Sequence, residues 1–428
     1  MLHDLLTSLP ESLSCCVLRD WLNFKSVMAL NSAFCCISSR EMFLKLLQSD
    51  EYVIRDEVII ASHSNILNMV HVLGRKIRSI LFMDRLNHAQ RKIVAANCTN
   101  LTHISYASAV KMKLRTVLRA NPDIEHLELS PIDYQFREKS VVPSFHKVSL
   151  PNLRSLAVRR HMDLDGQILN AISHGKLVQL DLSYSVIHFP TFLTIARVVS
   201  PYLRSCGLLQ TGMSDAILIE FTRLCPNIAH LDISHNDRVT DTGILGVVLN
   251  LRGLRSLCIS HMESTTDASL VHIYTYCADT LHTLHLHTQD DGFLQDEAEI
   301  NVLLERCIHM RVLHLSVPCV FTRNAICNLT TLVLVGDDLC ADNLATIGQC
   351  CSHLEVLFLD GFRILTTQGL VDICLNCTQL KKLYLDLTYM FYFKPRDDQD
   401  TLELAKLALE LWKELKFCIT MSWLWNEV

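Results

Sequence analysis

Apolar residues recur along this chain in a fixed short pattern, and the pattern itself recurs. It opens at Ile77, Leu101, Ile124, Leu153, Leu177, Leu203 and Ile228, then at Leu254, Leu281, Met310, Leu329, Leu354 and Leu380. Most of these starts lie 23 to 29 residues apart. The clearest copy is CPNIAHLDISHNDRVTDTGILGVVLNL, residues 225–251. Leu231 and Ile233 are two apart, so on a short strand both point to one side and can be buried together. Asn236 suits the turn that follows, because its amide can hydrogen-bond bent backbone. Ile244, Val247, Val248 and Leu251 then make one apolar stripe on a helix, with Asp241 placed as its N-cap.

Neither half of such a copy hides its apolar side alone, whereas a stack of copies does. Ile228, Leu231, Ile233 and Asn236 have the L-x-x-L-x-L-x-x-N spacing of a leucine-rich repeat. The expected fold is an α/β solenoid of about thirteen repeats, an arc with parallel strands on the concave face and helices outside. The expected organisation is a helical segment over 1–50, a transition and N-terminal cap over 51–76, repeats over 77–387 and a capping segment over 388–428. Within 51–76, Ile66, Val70 and Leu73 predict a first, irregular repeat helix. The interval from Ile124 to Leu153 stretches around Pro131, Pro143 and Pro151, which predicts an excursion. The interval from Met310 to Leu329 shrinks to 19, too short for a full helix, so that crossover is expected to be extended or a single turn. Leu404, Leu407, Ala408, Leu411 and Leu415 predict a last amphipathic helix over the open end.

Of 428 residues, 50% are hydrophobic and 20% charged, and the net charge is −6. No whole-chain field draws in nucleic acid or an anionic membrane, and no basic stripe with interleaved aromatics suggests a nucleic-acid groove. MLHDLLTSLPES carries an acid and no basic leader, and no run of 18 apolar residues occurs, so neither a signal peptide nor a membrane span is read. Among 18 cysteines, Cys98, Cys225, Cys307, Cys351 and Cys377 each fall three residues before a repeat start, and Cys277 falls four before. A column of this kind reads as small buried hydrophobes with free thiols, which implies a reducing compartment, cytoplasmic or nuclear.

Cys225-x-x-Ile228-x-x-Leu231-x-Ile233 with Val239-Thr240-Asp241-x-Gly243-Ile244 resembles the cysteine-containing leucine-rich repeats of F-box proteins. Ile364-Leu365-Thr366-Thr367-x-Gly369-Leu370 and Thr265-Thr266-Asp267 echo the same turn. At the N-terminus, Leu9-Pro10, Leu13, Val17 and Leu22 fall on the first-helix pattern of a divergent F-box, and Val27, Leu30 and Phe34-Cys35 on its later part. The sequence departs from that motif by an extra residue after Leu30, by Ser26 where an acid is usual, and by lacking a tryptophan soon after Cys35. The resemblance implies a non-catalytic substrate-recognition subunit of an SCF-type (cullin-RING) ubiquitin ligase. Leu9, Pro10, Leu13, Val17, Leu22, Val27 and Leu30 would dock on the adaptor protein, and the repeats would hold a protein substrate. Read without the resemblance, the same helices are an apolar cap on the array. The chain is then an interaction scaffold or regulator with no ligase link, similar to GTPase-activating or immune-sensor repeats.

Strand positions alternating with the buried pair supply a polar surface rich in imidazole: His230, Asp232, His235, His261, His285, His287 and His314. Such a surface is either simply solvated or a partner-binding face whose charge changes near pH 6–7. Further on, the same positions turn apolar, at Val333, Val335, Val356, Phe358 and Tyr384. They suit a contact patch, or cover by the C-terminal segment through Phe391 or Tyr392. Arg159 and Arg160 form a small basic spot that is either solvated or faces an acidic partner.

Chemistry finds no foothold. The sequence has no P-loop, G-x-S-x-G, H-E-x-x-H or G-x-G-x-x-G, so no enzyme and no cofactor are expected. His285 and His287 share a face, but a closed zinc site takes four ligands, and the spacing fixes no cysteine or carboxylate beside them. Cys374-x-x-Cys377 already has a repeat explanation, and Asp163-x-Asp165-Gly166 lacks the rest of a calcium loop, so no metal is expected.

Overall fold

The computed structural model describes residues 10, 13–14, 18, 22, 26–27, 29–30, 37–49, 52, 54, 57–60, 66–83, 86–107, 114–130, 148–160, 172, 176–287, 297–316, 320–335, 341–360 and 367–386. The chain forms two compact units, Met1–Leu203 and Arg204–Val428. In the first, strands β1 (Val58–Ile60), β2 (Ser79–Phe82), β3 (His103–Tyr106), β4 (His126–Leu129), β5 (Ser155–Val158) and β6 (Gln179–Asp181) follow one another. In the second come β7 (Ser205–Gly207), β8 (His230–Asp232), β9 (Ser256–Cys258), β10 (Thr283–Leu286), β11 (Val312–Leu315), β12 (Thr331–Val335), β13 (Val356–Asp360) and β14 (Lys382–Asp386). Within each unit every strand pairs in parallel with the next.

Thirteen of these strands begin two residues after a predicted start. Each start is a buried residue that turns the chain into the sheet. The fourteenth, β1, lies in the expected transition, where Val58 and Ile60 are buried and Ile59 is exposed. Alternation is strict enough to stack one aliphatic column per unit. In the first unit it runs Val58, Ile80, Ile104, Leu127, Leu156 and Leu180. In the second it runs Cys206, Leu231, Leu257, Leu284, Leu313, Leu332, Leu357 and Leu383. All of these are buried, and each aliphatic member contributes roughly 1.5–3 kcal/mol.

The crossovers place helices α1 (Ile66–Leu73), α2 (His88–Asn97), α3 (Arg115–Ala120) and α4 (Phe189–Val199) in the first unit. The second has α5 (Asp215–Leu224), α6 (Asp241–Asn250), α7 (Asp267–Tyr276), α8 (Glu297–Arg306), α9 (Ala341–Cys350) and α10 (Thr367–Asn376). Ile244, Val247, Val248 and Leu251 are buried as the stripe on α6 predicts. Val70 and Leu73 of α1 are buried too. Between β11 and β12 the described residues hold turns and no helix, as 19 residues allow. The excursion after Pro131 and the capping helix near Leu404 lie outside the described residues.

The N-cap expectation needs correcting. Thr240, not Asp241, caps α6, its hydroxyl accepting from the Thr242 N–H at 3.2 Å. Asp241 instead reaches the next repeat, taking hydrogen bonds from the Thr266 N–H (2.8 Å), the Thr266 hydroxyl (2.7 Å) and the Ser269 hydroxyl (2.5 Å). One repeat earlier, Asp215 holds the Thr240 N–H (2.8 Å) and hydroxyl (2.7 Å). On α5 and α6 a carboxylate at the first helical position thus latches the start of the following helix. Gly243 leaves room for this latch, since a Cβ there would collide with Asp215 Oδ1.

Cys98, Cys225, Cys277, Cys307, Cys351 and Cys377 are buried just past their helices, and none of them is in a disulfide. Burial pushes the Cys98, Cys225 and Cys307 thiols up to about 12 and Cys277 up to about 11, so they serve as packing rather than as nucleophiles.

Candidate functional site

The sheet positions not buried against the helices carry the candidate chemistry, and in the second unit they resolve the expected histidine patch into two ladders. The first ladder lies within the strands. Asp232, Cys258, His285, His314, Val333, Phe358 and Tyr384 occupy one register, neighbour to neighbour. Parallel strands sit about 4.8 Å apart, so imidazoles in register must stack. The His285 and His314 rings do, at 3.8 Å and 14°. Phe358 and Tyr384 continue the line as a tilted pair at 5.8 Å. Val333, between His314 and Phe358 in this register, is buried.

The second ladder lies just past the strand ends. His235 and His261 each stand five residues after their strand's first residue, and both have positive φ (55° and 53°). Gln210 takes the same place with φ 52°, as do Arg160 and Tyr184 in the first unit, both with φ 61°. The Gln210 and His235 N–H groups donate to the Ser234 and Ser260 carbonyls at 2.9 Å, and His261 to His287 at 2.5 Å. The left-handed residue therefore extends the ladder of backbone hydrogen bonds by one rung. His235 stacks on His261 at 4.3 Å and His261 on His287 at 4.9 Å, each pair at 27°. His230 belongs to neither stack; it is exposed on β8, beside Ser205 and Ser256.

Electrostatics distinguishes some of these rings from free imidazole. Burial, then the neighbouring imidazoles His235 and His287, lowers His261 to about 4. Burial, then His285 and His287, brings His314 to about 4. Burial lowers His285 as well. The His261 and His314 rings are therefore neutral through pH 6–7. Asp232 braces its own turn, accepting from the Ser234 N–H at 3.0 Å. Among the described residues no three His, Cys, Asp or Glu side chains converge as a metal would require.

In the first unit, His103 and His126 stack at 4.2 Å, a pair that sequence reasoning missed although their shared repeat position is visible. Arg159 is not part of a free basic spot. Its guanidinium bridges Asp181 (2.6 Å) and Glu128 (2.9 Å), the acids flanking Ala157 in one register. Arg160 lies over the Tyr184 ring at 5.1 Å.

In the N-terminal segment Leu13, Ser14, Leu18, Ser26, Val27, Ala29 and Leu30 are helical. Pro10 is exposed, Leu13 is 52% exposed, and Leu22 and Leu30 are half-buried. Val27 is fully buried, as is Leu18. Leu9 and Val17 lie outside the described residues, as do Phe391 and Tyr392.

No protein-family model and no curated protein sequence matches the chain. Solved structures do. A chain of the yeast Rad7 and Elc1 complex is similar over 86% of this chain and 91% of its own length, at 15% identity and a TM-score of 0.53. A chain of a TLR13–ssRNA13 complex matches over 80% of this chain at 17% identity and a TM-score of 0.42; this chain spans only 55% of that one. An internalin (InlF) from Listeria monocytogenes matches over 87% and 84% of the two chains, at 12% identity and a TM-score of 0.37. The fold is that of a leucine-rich-repeat solenoid of the α/β class. No helix among the described residues is long and apolar enough to cross a membrane.

Proposed function

We propose that the protein is a non-catalytic substrate-recognition subunit of an SCF-type (cullin-RING) ubiquitin ligase. The N-terminal helices dock on the adaptor, and the open face of the repeats holds a protein target. The observation that carries this reading is the display of Leu13. A helical segment that buries Leu18 and Val27 completely keeps Pro10 and Leu13 exposed, although inward-facing sites for leucine are abundant in this chain. An apolar side chain held out on an ordered helix is what a partner surface uses as an anchor. The F-box-like spacing places Pro10, Leu13, Leu22 and Leu30 where an adaptor contact is expected. The Rad7 and Elc1 structure, which shares the fold, is itself a complex of two proteins.

The test is capture of the purified SCF adaptor by the full-length chain. Wild type is expected to bind, and a Leu13→Asp, Leu22→Asp variant with an unchanged melting temperature is expected to lose binding at least tenfold. A wild-type chain that never captures the adaptor leaves the second reading, an interaction scaffold without a ligase link, which the stacked polar face supports by itself.

A further inference from the structure

We propose that the margin at which strands β7 to β11 begin, formed by Arg204, His230, Arg255, His282, His309 and Arg311, binds an extended acidic segment of a protein partner. This rests on the reading that the repeats hold a protein target, and it adds the chemistry of that target.

The six residues come from one place in the repeat. Arg204, Arg255, His282 and Arg311 each follow a buried start by one residue, His230 follows one by two, and His309 precedes one. Backbone hydrogen bonds fix the row: the Ala229 N–H donates to the Arg204 carbonyl, Arg255 to Ala229, His282 to Arg255 and Arg311 to His282, each at 2.8 Å. Every strand from β7 to β11 thus brings a basic or imidazole side chain to the same margin. His282 and His309 stack at 5.9 Å and 14°. All six are exposed except Arg311, which is half-buried.

The margin reverses the sign of the chain. The net charge is −6, yet from Arg204 to Thr331 the residue just before each start and the two just after it include no Asp or Glu. Of the acids in neighbouring positions, Asp232 accepts from the Ser234 N–H and Glu305 from the Thr322 hydroxyl at 2.8 Å, while Asp279 shares its repeat position with Arg252. Elsewhere the chain matches its cations with carboxylates, Arg159 with Glu128 and Asp181, Arg223 with Glu220 and Lys381 with Glu355. Among the described residues Arg255 and Arg311 have no carboxylate partner. Arg311 is held by carbonyls instead, donating to Met310 at 2.9 Å and Asn328 at 3.3 Å, and Arg204 donates to Asn227 at 3.4 Å. A carbonyl positions a guanidinium without cancelling its charge, so the row offers placed cations to carboxylates.

Geometry favours a polypeptide over a nucleic acid. Four strand spacings of about 4.8 Å separate β7 from β11, the length of about six extended residues. Bases need free aromatic faces to stack on. The tyrosines at sequence positions just before Arg204 and His282 already carry the protein's own cations, Tyr202 under Lys176 at 5.8 Å and Tyr276 under Arg252 at 5.6 Å.

The probe is fluorescently labelled deca-glutamate, measured by anisotropy against the full-length chain at pH 7.5, with deca-glutamine and deca-uridylate as controls. Deca-glutamate alone is expected to bind, and to bind more weakly as salt rises. Arg255→Gln with Arg311→Gln is expected to weaken binding about tenfold while the chain melts as wild type, and Arg255→Lys with Arg311→Lys to keep most of it. Should loss of the Arg311 carbonyl bonds disturb folding, Arg255→Glu alone, at an exposed position, is expected to weaken binding about fivefold. Lys381→Gln with Lys382→Gln removes equal charge from the start of β14 and is expected to leave the affinity unchanged. The inference is overturned if deca-glutamate fails to bind, if deca-uridylate binds as tightly, if the arginine variants behave as wild type, or if the lysine variant loses as much. Dimers in sedimentation that the arginine variants dissolve would also overturn it, by assigning the margin to a second copy of the chain. Adaptor capture by the arginine variants should match wild type, so failure of the ligase reading shows separately, in wild type.

Discussion

Asn236 shows how much one side chain does in this fold. Buried behind β8, its amide donates to the Leu208 and Ile233 carbonyls, both at 2.8 Å, and its oxygen accepts from the Met213 N–H at 2.9 Å and the Thr211 N–H at 3.2 Å. It therefore closes its own turn and ties down the repeat before it. Asn236→Ala strands several buried backbone groups at about 1–3 kcal/mol each before relaxation. A net loss of about 3 kcal/mol is expected in urea unfolding, with the m-value unchanged. The sequence announced that this residue serves the turn; its reach into the neighbouring repeat was hidden, because periodicity says nothing of which carbonyl lies opposite. The same limit applied to the histidines. Their positions could be counted, but stacking and burial, which move His261 and His314 from the usual 6.5 down to about 4, depend on strand spacing. Those two rings take up protons in the unfolded chain below about pH 6.5 and in the folded chain only near 4. Stability is accordingly full above pH 7 and falls as pH drops from 6.5 toward 4. A His261→Asn, His314→Asn variant should show a flatter melting temperature over that window; the wild-type slope in the variant would contradict this.

The latch between successive helices is the next level of organisation. Asp215 and Asp241 repeat at the first helical position, each preceded by a hydroxyl residue, and that recurrence of Ser214-Asp215, Thr240-Asp241 and Thr266-Asp267 was the available signal. Capping preference alone suggested that the acid caps its own helix; competition from the better-placed Thr240 freed it to bridge repeats. Gly243→Ala separates the two views. A lone helix gains about 1 kcal/mol from that change, whereas here the added carbon pushes on Asp215 Oδ1, which holds the Thr240 N–H. A net destabilisation of about 1–2 kcal/mol is expected from the lost charge-assisted bond. A rise in melting temperature would show the latch to be slack. Likewise, a double-mutant cycle between Asp241→Ala and Thr266→Val should return a coupling near 1 kcal/mol.

In a solenoid the repeats support only their neighbours, so damage in one column spreads along it. Leu257 lies fully buried between Leu231 and Leu284, and Leu257→Asp puts an unpaired carboxylate there. Circular dichroism and hydrogen exchange should show the middle of the second unit unfolded; a wild-type melting curve would mean that Leu257 is not in the column. This architecture was the most legible part of the sequence, because thirteen buried starts recur at similar intervals, each two residues before a strand. The head was less so: the apolar spacing that nominated Val27 for an adaptor contact does not distinguish a residue packed inward from Leu13, which points out. Hydrogen exchange of the full-length chain with and without the SCF adaptor decides what that exposed leucine is for. Slowed exchange confined to residues 10–30, with β8 to β14 unchanged, is the expected result; no protection at the head, or protection on the strands instead, would contradict the assignment.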